Sequence, residues 1–193
     1  IYNKMIKLKK FTIKGIVVTI QTPNDENQKE KYIYTLNKKI FDTSLDNLIK
    51  AFIDNETYTK FLKGTQEEIK DTGSIIENID LEEKITYKED YIPTDKQIFT
   101  NADELTKYLL YGTLNKQETY IVKEGDTIED IANANKLNVQ EFLIANPTFT
   151  SANNLLYASQ EVNVGLINPL INVVVDVHSV EDTPKDYAVE IKY

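Results

Sequence analysis

The chain has 193 residues, of which 41% are hydrophobic, and its formal net charge is −9. This length accommodates one large domain or two small ones, and the hydrophobic fraction is enough for a buried core. The acidic charge balance argues against nucleic acids and anionic lipid surfaces as partners, because both select clustered Lys and Arg. Because the sequence contains no Cys, disulfide bonds and thiolate metal sites are excluded.

The segment at residues 4–20, KMIKLKKFTIKGIVVTI, places a basic run before an apolar run, which is the order of a signal or a membrane anchor. Lys14 interrupts the apolar run, which is therefore too short to span a bilayer, and a β-strand is favoured. Because residue 1 is Ile rather than Met, we expect an upstream export signal to be missing from this sequence.

Residues 1–115 are predicted to form a mixed α and β domain. The predicted strands, which are rich in β-branched and aromatic residues, are 11–20, 31–36 and 82–92. The polar segment between the first two indicates a hairpin. The predicted helices, whose apolar residues recur at helical spacing, are 43–55, 56–64 and 102–111. Gly64 and Gly112 stand where a left-handed helix cap is expected, and Asn101 with Glu104 has the spacing of a capping box.

Two segments of this domain resemble each other. They are KKIFDTSLDNLIKAFI at 38–53 and KQIFTNADELTKYLL at 96–110, and in both an Ile-Phe pair precedes an amphipathic helix. The similarity indicates a duplicated strand–helix unit, and the alternative is that two strand-to-helix corners have converged on similar residues.

Residues 120–166 show the order strand, helix, helix, strand. Gly125 permits the first turn, and Thr127 and Asn138 are placed as helix N-caps, each with an acidic residue three positions later. Asn146 before Pro147 is a helix stop of the expected kind. The segment EVNVGL at 161–166 supplies the closing strand.

This pattern, with Gly-Asp-Thr at the first corner and Ala-Asn-Pro at the end of the second helix, resembles the LysM domain. The residues that carry the resemblance are Tyr120, Val122, Gly125, Asp126, Thr127, Ile131, Ala132, Val139, Leu143, Asn146 and Pro147, followed by QEVNV at 160–164. The sequence departs from the family pattern at Glu129, where an aromatic or small residue is common, and at Ser159, where Gly is usual.

The resemblance implies a module that binds N-acetylglucosamine-containing glycans, such as peptidoglycan or chitin, in a shallow groove between the loops at 125–128 and 146–156. The glycan-binding residues that it implies are Gly125, Asp126, Thr127, Ile128, Asn146, Pro147, Thr148 and Leu155. Asp126 is equally suited to capping a turn. The fold can also serve as a protein–protein adaptor.

The residues that follow the module, LLYASQEVNVGLINPLINVVVDV at 155–177 and YAVEIKY at 187–193, resemble a junction in Gram-positive wall endopeptidases. This second resemblance implies a larger wall-remodelling protein, an extracellular or wall-associated location, and a zinc endopeptidase domain downstream. The alternative is a structural adaptor of a large assembly, such as a phage tail, baseplate or spore coat. That alternative implies protein partners and, for a phage, location in the virion.

The residues of this chain offer little for catalysis, and we expect neither an enzyme nor a cofactor nor a metal ion here. His178 is the only His, and its position in a β-rich run favours a solvent-facing strand residue over a zinc ligand. Paired carboxylates could hydrolyse glycosides, which leaves an unrecognised carboxylate site in residues 1–115 as a third possibility. The carboxylates considered, which all lie in highly charged and therefore solvated stretches, are Glu67, Glu68, Glu82 and Glu83.

The predicted fold class is α+β. The predicted domains are a mixed α and β domain at 1–115, a LysM module at 116–167, and the opening strands of a further β-rich module at 168–193. The polar segment TLNKQE at 113–118 is predicted to be a linker, so that the module folds on its own.

Overall fold

A computed structural model describes residues 11–23 and 30–181 of the chain. Its helices are α1 (Lys38–Phe52), α2 (Asn55–Lys63), α3 (Ala102–Tyr111), α4 (Ile128–Ala134) and α5 (Val139–Ala145). Its strands are β1 (Thr12–Gln21), β2 (Glu30–Thr35), β3 (Gly73–Leu81), β4 (Lys84–Pro93), β5 (Ile98–Phe99), β6 (Thr119–Ile121), β7 (Glu161–Asn163) and β8 (Val173–Val180). The predicted α+β class is confirmed.

Strand β1 is central in a four-stranded sheet of order β4-β1-β2-β5. It pairs with β2 and β4 in antiparallel orientation, and β5 adds to β2 in parallel. The predicted strands at 11–20, 31–36 and 82–92 are therefore confirmed, as is the antiparallel pairing of the first two. Isoleucine and valine side chains of β1 that point to one face, such as Val18 and Ile20, are buried under α1 and α3.

Helix α1 begins five residues before the predicted helix. The Asn37 side chain caps it by accepting a hydrogen bond of 3.1 Å from the backbone N–H of Ile40. Phe41 thus lies within the helix, fully buried and edge-to-face against Tyr87 at 5.6 Å between ring centroids. The second Ile-Phe pair forms β5 instead. The predicted duplication of a strand–helix unit is wrong, because the first pair is helical.

The ends of the next two helices follow the prediction. Gly64 and Gly112 adopt left-handed backbone angles, with φ of 62° and 68°. The Asn101 side chain accepts hydrogen bonds from the backbone N–H groups of Asp103 and Glu104 at 2.7 and 3.2 Å. A Cβ atom on Gly112 would also lie 3.1 Å from the carbonyl oxygen of Asn168. Glycine is therefore favoured there both by its backbone conformation and by the close return of the chain.

The main core joins residues far apart in the sequence. Buried side chains of the sheet pack with Leu48, Leu105 and Leu109 of helices α1 and α3. Two later residues, Ile144 of α5 and Ile171, are buried in the same cluster. Since apolar burial contributes about 25 cal/mol per Å², these contacts bind the later segments to residues 11–115.

Strand β8 pairs with β3. Strand β3 was not predicted from the sequence. The antiparallel register runs from Gly73 opposite Val180 to Leu81 opposite Val173, with an irregularity between Ile76 and Asn78. The division at 115 and 167 stays a prediction. The described part of the third predicted domain, residues 168–181, lies against residues of the first. Its residues 182–193 fall outside the described residues.

The chain leaves α3 at its C-terminal end and returns to it after β7. The backbone N–H groups of Asn168 and Leu170 donate to the carbonyl oxygens of Leu110 and Leu109 at 3.1 and 2.8 Å. These carbonyls belong to the last turn of α3 and have no partner within the helix. The return of the chain therefore caps α3. Across the described residues, no helix is both long enough and apolar enough to cross a bilayer.

Candidate glycan-binding site

The predicted module has its own core. Strands β6 and β7 pair in antiparallel orientation. Buried residues of β7, of both helices and of the position just after β6 form a cluster that includes Val122, Ile131, Phe142 and Val162. Helix α5 begins with a reciprocal capping box. The backbone N–H of Asn138 donates to the Glu141 carboxylate at 2.7 Å, and that of Glu141 donates to the Asn138 side chain at 2.9 Å.

The first predicted loop is a tight corner closed by Asp126. Its carboxylate accepts a hydrogen bond of 2.9 Å from the Tyr120 hydroxyl and one of 2.8 Å from the backbone N–H of Lys123. Gly125 is exposed and has a φ of 89°, which favours glycine. Thr127 is exposed and caps α4, with its hydroxyl oxygen accepting from the backbone N–H of Asp130 at 3.1 Å. The corner is therefore shaped mainly by its own side chains.

Two of the predicted glycan-binding residues are buried. Ile128 is 1% exposed within the core of the module, so its side chain is unavailable and only its backbone can face a ligand. Asn146 is 9% exposed, and its side-chain amide donates to the carbonyl oxygens of Phe142 and Asn163 at 2.9 and 2.8 Å. Its side-chain oxygen accepts from the backbone N–H of Asn163 at 2.7 Å. Asn146 therefore joins the end of α5 to β7.

The remaining predicted residues, Pro147, Thr148 and Leu155, are exposed. The loop that carries them is held by Asn154, which the sequence analysis missed. Its side-chain oxygen accepts from the backbone N–H groups of Thr150 and Ser151, each at 2.8 Å. Asn within a Ser-Ala-Asn-Asn run is typical of such turns, so the signal was present in the sequence.

The segment just after the second loop is tied to the chain that leads into the first loop. The backbone N–H of Ser159 donates to the carbonyl of Val122, and the N–H of Val122 donates to the carbonyl of Gln160, both at 2.8 Å. Because Val122 precedes the Gly125 corner by three residues, the two predicted loops are held at the same end of the module.

Ser159 adopts a left-handed backbone with a φ of 71°. This is the position where the family pattern usually has Gly, and a side chain in this conformation costs roughly 1–2 kcal/mol. Replacing Ser159 with Gly is expected to raise the free energy of unfolding by about 0.5–1 kcal/mol, because the greater freedom of Gly in the unfolded chain offsets part of the relief. Urea denaturation of the 193-residue chain measures this change.

Ala158→Gly is the matched control for that variant. Ala158 is exposed and precedes Ser159, but its backbone is not left-handed. Glycine there is expected to lower the free energy of unfolding by about 0.5–1 kcal/mol. Equal destabilisation by both substitutions would show that the turn at Ser159 is not strained.

A wide cleft of about 1280 Å³ separates the module from helices α1 and α3. One wall consists of α5 and the start of the second loop, including Pro147, Phe149 and Thr150. At the closed side, the Asn163 side-chain amide donates to the Tyr111 hydroxyl at 3.2 Å. Burial raises the pKa of the Tyr111 hydroxyl, opposed by that hydrogen bond, so Tyr111 is neutral at physiological pH.

The residues considered for catalysis are dispersed. His178 lies exposed on β8 opposite Ile75, and three of the four glutamates considered are exposed. The prediction that Glu83 is solvated is wrong, because it is 6% exposed and its carboxylate accepts from the backbone N–H of Asn172 at 2.7 Å. Within residues 11–23 and 30–181, no three side chains of His, Asp or Glu are grouped for a metal ion.

Comparison with known families identifies the module. Residues 120–165 match the LysM domain, which confirms the resemblance read from the sequence. Neither the curated proteins nor the solved structures give a significant match to the chain. LysM domains bind N-acetylglucosamine-containing glycans such as peptidoglycan, and they are typical of cell-wall or extracellular proteins.

Proposed function

Because residues 120–165 form a LysM domain, we propose that this chain holds a larger wall-remodelling protein against peptidoglycan or a related N-acetylglucosamine-containing glycan. The observation that carries the proposal is the family match, which covers both loops predicted to bind the glycan. In this proposal the chain binds the glycan without catalysing a reaction, and it acts in the cell wall or outside the cell.

The exposed side chains of the second loop support this function. Leu155 is 77% exposed, and Pro147 and Thr148 are exposed beside the end of α5. An apolar side chain in water gains roughly 1.5–3 kcal/mol when it is fully buried, and the face of a sugar ring can cover part of it. Backbone N–H and C=O groups of the two loops are suited to hydrogen bonds with acetamido groups.

The contacts proposed here are neutral. The net charge of −9 disfavours attraction to anionic wall polymers, so binding comes from apolar and hydrogen-bonding contacts. A shallow surface of this kind gives modest affinity, because much of the contact energy offsets the loss of translational and rotational freedom.

The 193-residue chain is expected to sediment with insoluble peptidoglycan, and soluble N-acetylglucosamine oligomers are expected to compete. Leu155→Ala is expected to weaken retention by roughly 5-fold to 30-fold, since truncating an exposed contact of this size costs about 1–2 kcal/mol on binding. Its free energy of unfolding should change by less than about 0.5 kcal/mol, because Leu155 is outside the core.

Leu62→Ala provides the matched control, because Leu62 is 62% exposed on α2 and lies outside the module. Its retention should equal that of the unchanged chain. Retention should also vary little between low and physiological salt. A chain that stays in the supernatant at every peptidoglycan concentration would refute glycan binding and favour the adaptor alternative, in which the module contacts protein.

A further inference from the structure

The cleft between the LysM domain and helices α1 and α3 continues the surface of the second loop. Pro147 belongs to the predicted glycan-binding residues and also lines the cleft, as do Phe149 and Thr150 just beyond it. Phe149 is half-buried, stacked on Phe142 at 6.0 Å between ring centroids, so this edge of the cleft is held by the core of the domain. A ligand that touches Pro147 is therefore at the mouth of the cleft.

The lining of the cleft is electrically balanced and rich in neutral polar groups. Its three lysines, Lys50, Lys107 and Lys116, are matched by three carboxylates, those of Asp54, Asp103 and Glu104. Six side-chain amides line it: Asn47, Asn55, Asn115, Gln117, Gln140 and Asn163. Such a surface has no net attraction for nucleic acid or an anionic polymer, whereas amides suit the hydroxyl and acetamido groups of a neutral sugar.

Three of these amides, those of Asn55, Asn115 and Gln140, are available to a ligand, and the last two belong to the LysM domain or to the segment that enters it. Asn115, in the segment that enters the LysM domain, and Gln140, on α5, are both exposed. Neither side-chain amide donates to or accepts from another group within the part of the chain that the structure describes. The lining also includes the apolar residues Leu143 and Ile144. Polar groups beside apolar residues match the two kinds of surface on a pyranose ring.

The shape of the cleft favours a glycan over an extended peptide. Its walls are helices and connecting segments, and the two strand residues that reach it, Thr119 and Asn163, already pair with each other. A peptide could not add to a free strand edge there, which is the usual way an extended peptide gains backbone hydrogen bonds. At about 1280 Å³, the cleft exceeds the roughly 300–1,000 Å³ of a typical small-molecule site, so it has room for more than one sugar ring.

We infer that this cleft binds a second stretch of the same N-acetylglucosamine-containing chain that contacts the LysM loops. The inference rests on the proposed function of the LysM domain. The chain thus reads a longer oligosaccharide than the LysM domain would read alone, and helices α1 and α3 form part of the glycan site.

Calorimetric titration of the 193-residue chain with an N-acetylglucosamine dimer and with an octamer tests the inference. The dimer is expected to occupy the LysM loops, and the octamer is expected to reach into the cleft as well. The double variant Asn115→Ala with Gln140→Ala is expected to weaken octamer binding on the order of tenfold, since it removes two hydrogen-bonding amides. Dimer binding is expected to stay unchanged.

Asn133→Ala is the matched control, because Asn133 is an exposed amide on α4 that does not line the cleft. It should leave both oligomers unaffected. An octamer can bind the LysM loops in more positions along its length than a dimer can, which raises its affinity even without the cleft. Binding at the cleft is therefore supported by a selective loss of octamer affinity in the double variant and not by the higher affinity of the octamer itself.

The outcomes separate the two levels of the proposal. If both oligomers bind and the double variant changes neither, the cleft inference is overturned while glycan binding by the LysM domain stands. If neither oligomer binds the unchanged chain, the proposed function itself fails. A sugar-free stem peptide that binds the unchanged chain and is lost in the double variant would overturn the glycan as the occupant.

Discussion

Replacing Ile131 with Asp is expected to unfold the LysM domain, lowering its free energy of unfolding by about 5 kcal/mol. Ile131 is 2% exposed on α4 and packs in the core of the domain. An unpaired carboxylate at such a position costs about 3–5 kcal/mol, and the lost apolar burial adds to it. The loss is comparable to the whole stability of a small domain.

Hydrogen exchange on the 193-residue chain locates this unfolding. Amides of α4 and α5 should lose protection, whereas amides of β1 should keep it, because the core around Val18 and Leu109 is a separate cluster. Asn133→Asp places the same charge on the exposed face of α4 and should cost less than about 0.5 kcal/mol. Equal protection of these amides in both variants would show that the core of the LysM domain does not depend on the buried face of α4.

Replacing Asn146 with Ala is expected to lower the free energy of unfolding by about 3 kcal/mol. The substitution removes three hydrogen bonds of 2.7–2.9 Å, one to Phe142 of α5 and two that join the end of α5 to Asn163 of β7. The backbone N–H of Asn163 thereby loses its acceptor, the side-chain oxygen of Asn146. Each lost bond of this kind costs roughly 1 kcal/mol. Glycan binding should fall as well, because the second loop loses its anchor. Urea denaturation without glycan measures the structural part.

Thr148→Ala distinguishes the loss of a direct glycan contact from the loss of the hydrogen bonds that hold the second loop. Thr148 is exposed two residues later, and its truncation should leave stability within about 0.5 kcal/mol while weakening glycan binding. The opposite pattern would be informative. If Asn146→Ala binds glycan poorly but unfolds at the same urea concentration as the unchanged chain, then Asn146 is a direct contact and its structural role is minor.

Local sequence signals predicted much of this fold because they act over a few residues. A glycine after a helix, as at Gly64 and Gly112, and an Asn three residues before Glu, as at Asn138, determine caps without help from distant parts of the chain. The LysM corner is of the same kind. Gly125, Asp126 and Thr127 close it through their own backbone angles and hydrogen bonds.

Features that depend on distant partners could not be read in this way. Strand β3 is half exposed, and it is defined by its pairing with β8, about a hundred residues later along the chain. The role of Asn146 likewise depends on Asn163, which is brought beside it by the fold. For the same reason, the sequence indicated a polar linker at 113–118 but gave no sign of the shared burial of Ile144 and Ile171.

The paired entry and exit of the LysM domain have a mechanical consequence. The backbone N–H of Val164 donates to the carbonyl of Glu118 at 2.9 Å, and the chain then returns along the end of α3. If the LysM domain binds a glycan strand as proposed, a tensile load from that strand divides over two covalent connections, so each peptide segment carries only part of it. Because both segments are short and hydrogen-bonded, they contain little slack. Displacement of the LysM domain would therefore be transmitted directly to α3 and to the sheet that packs against it.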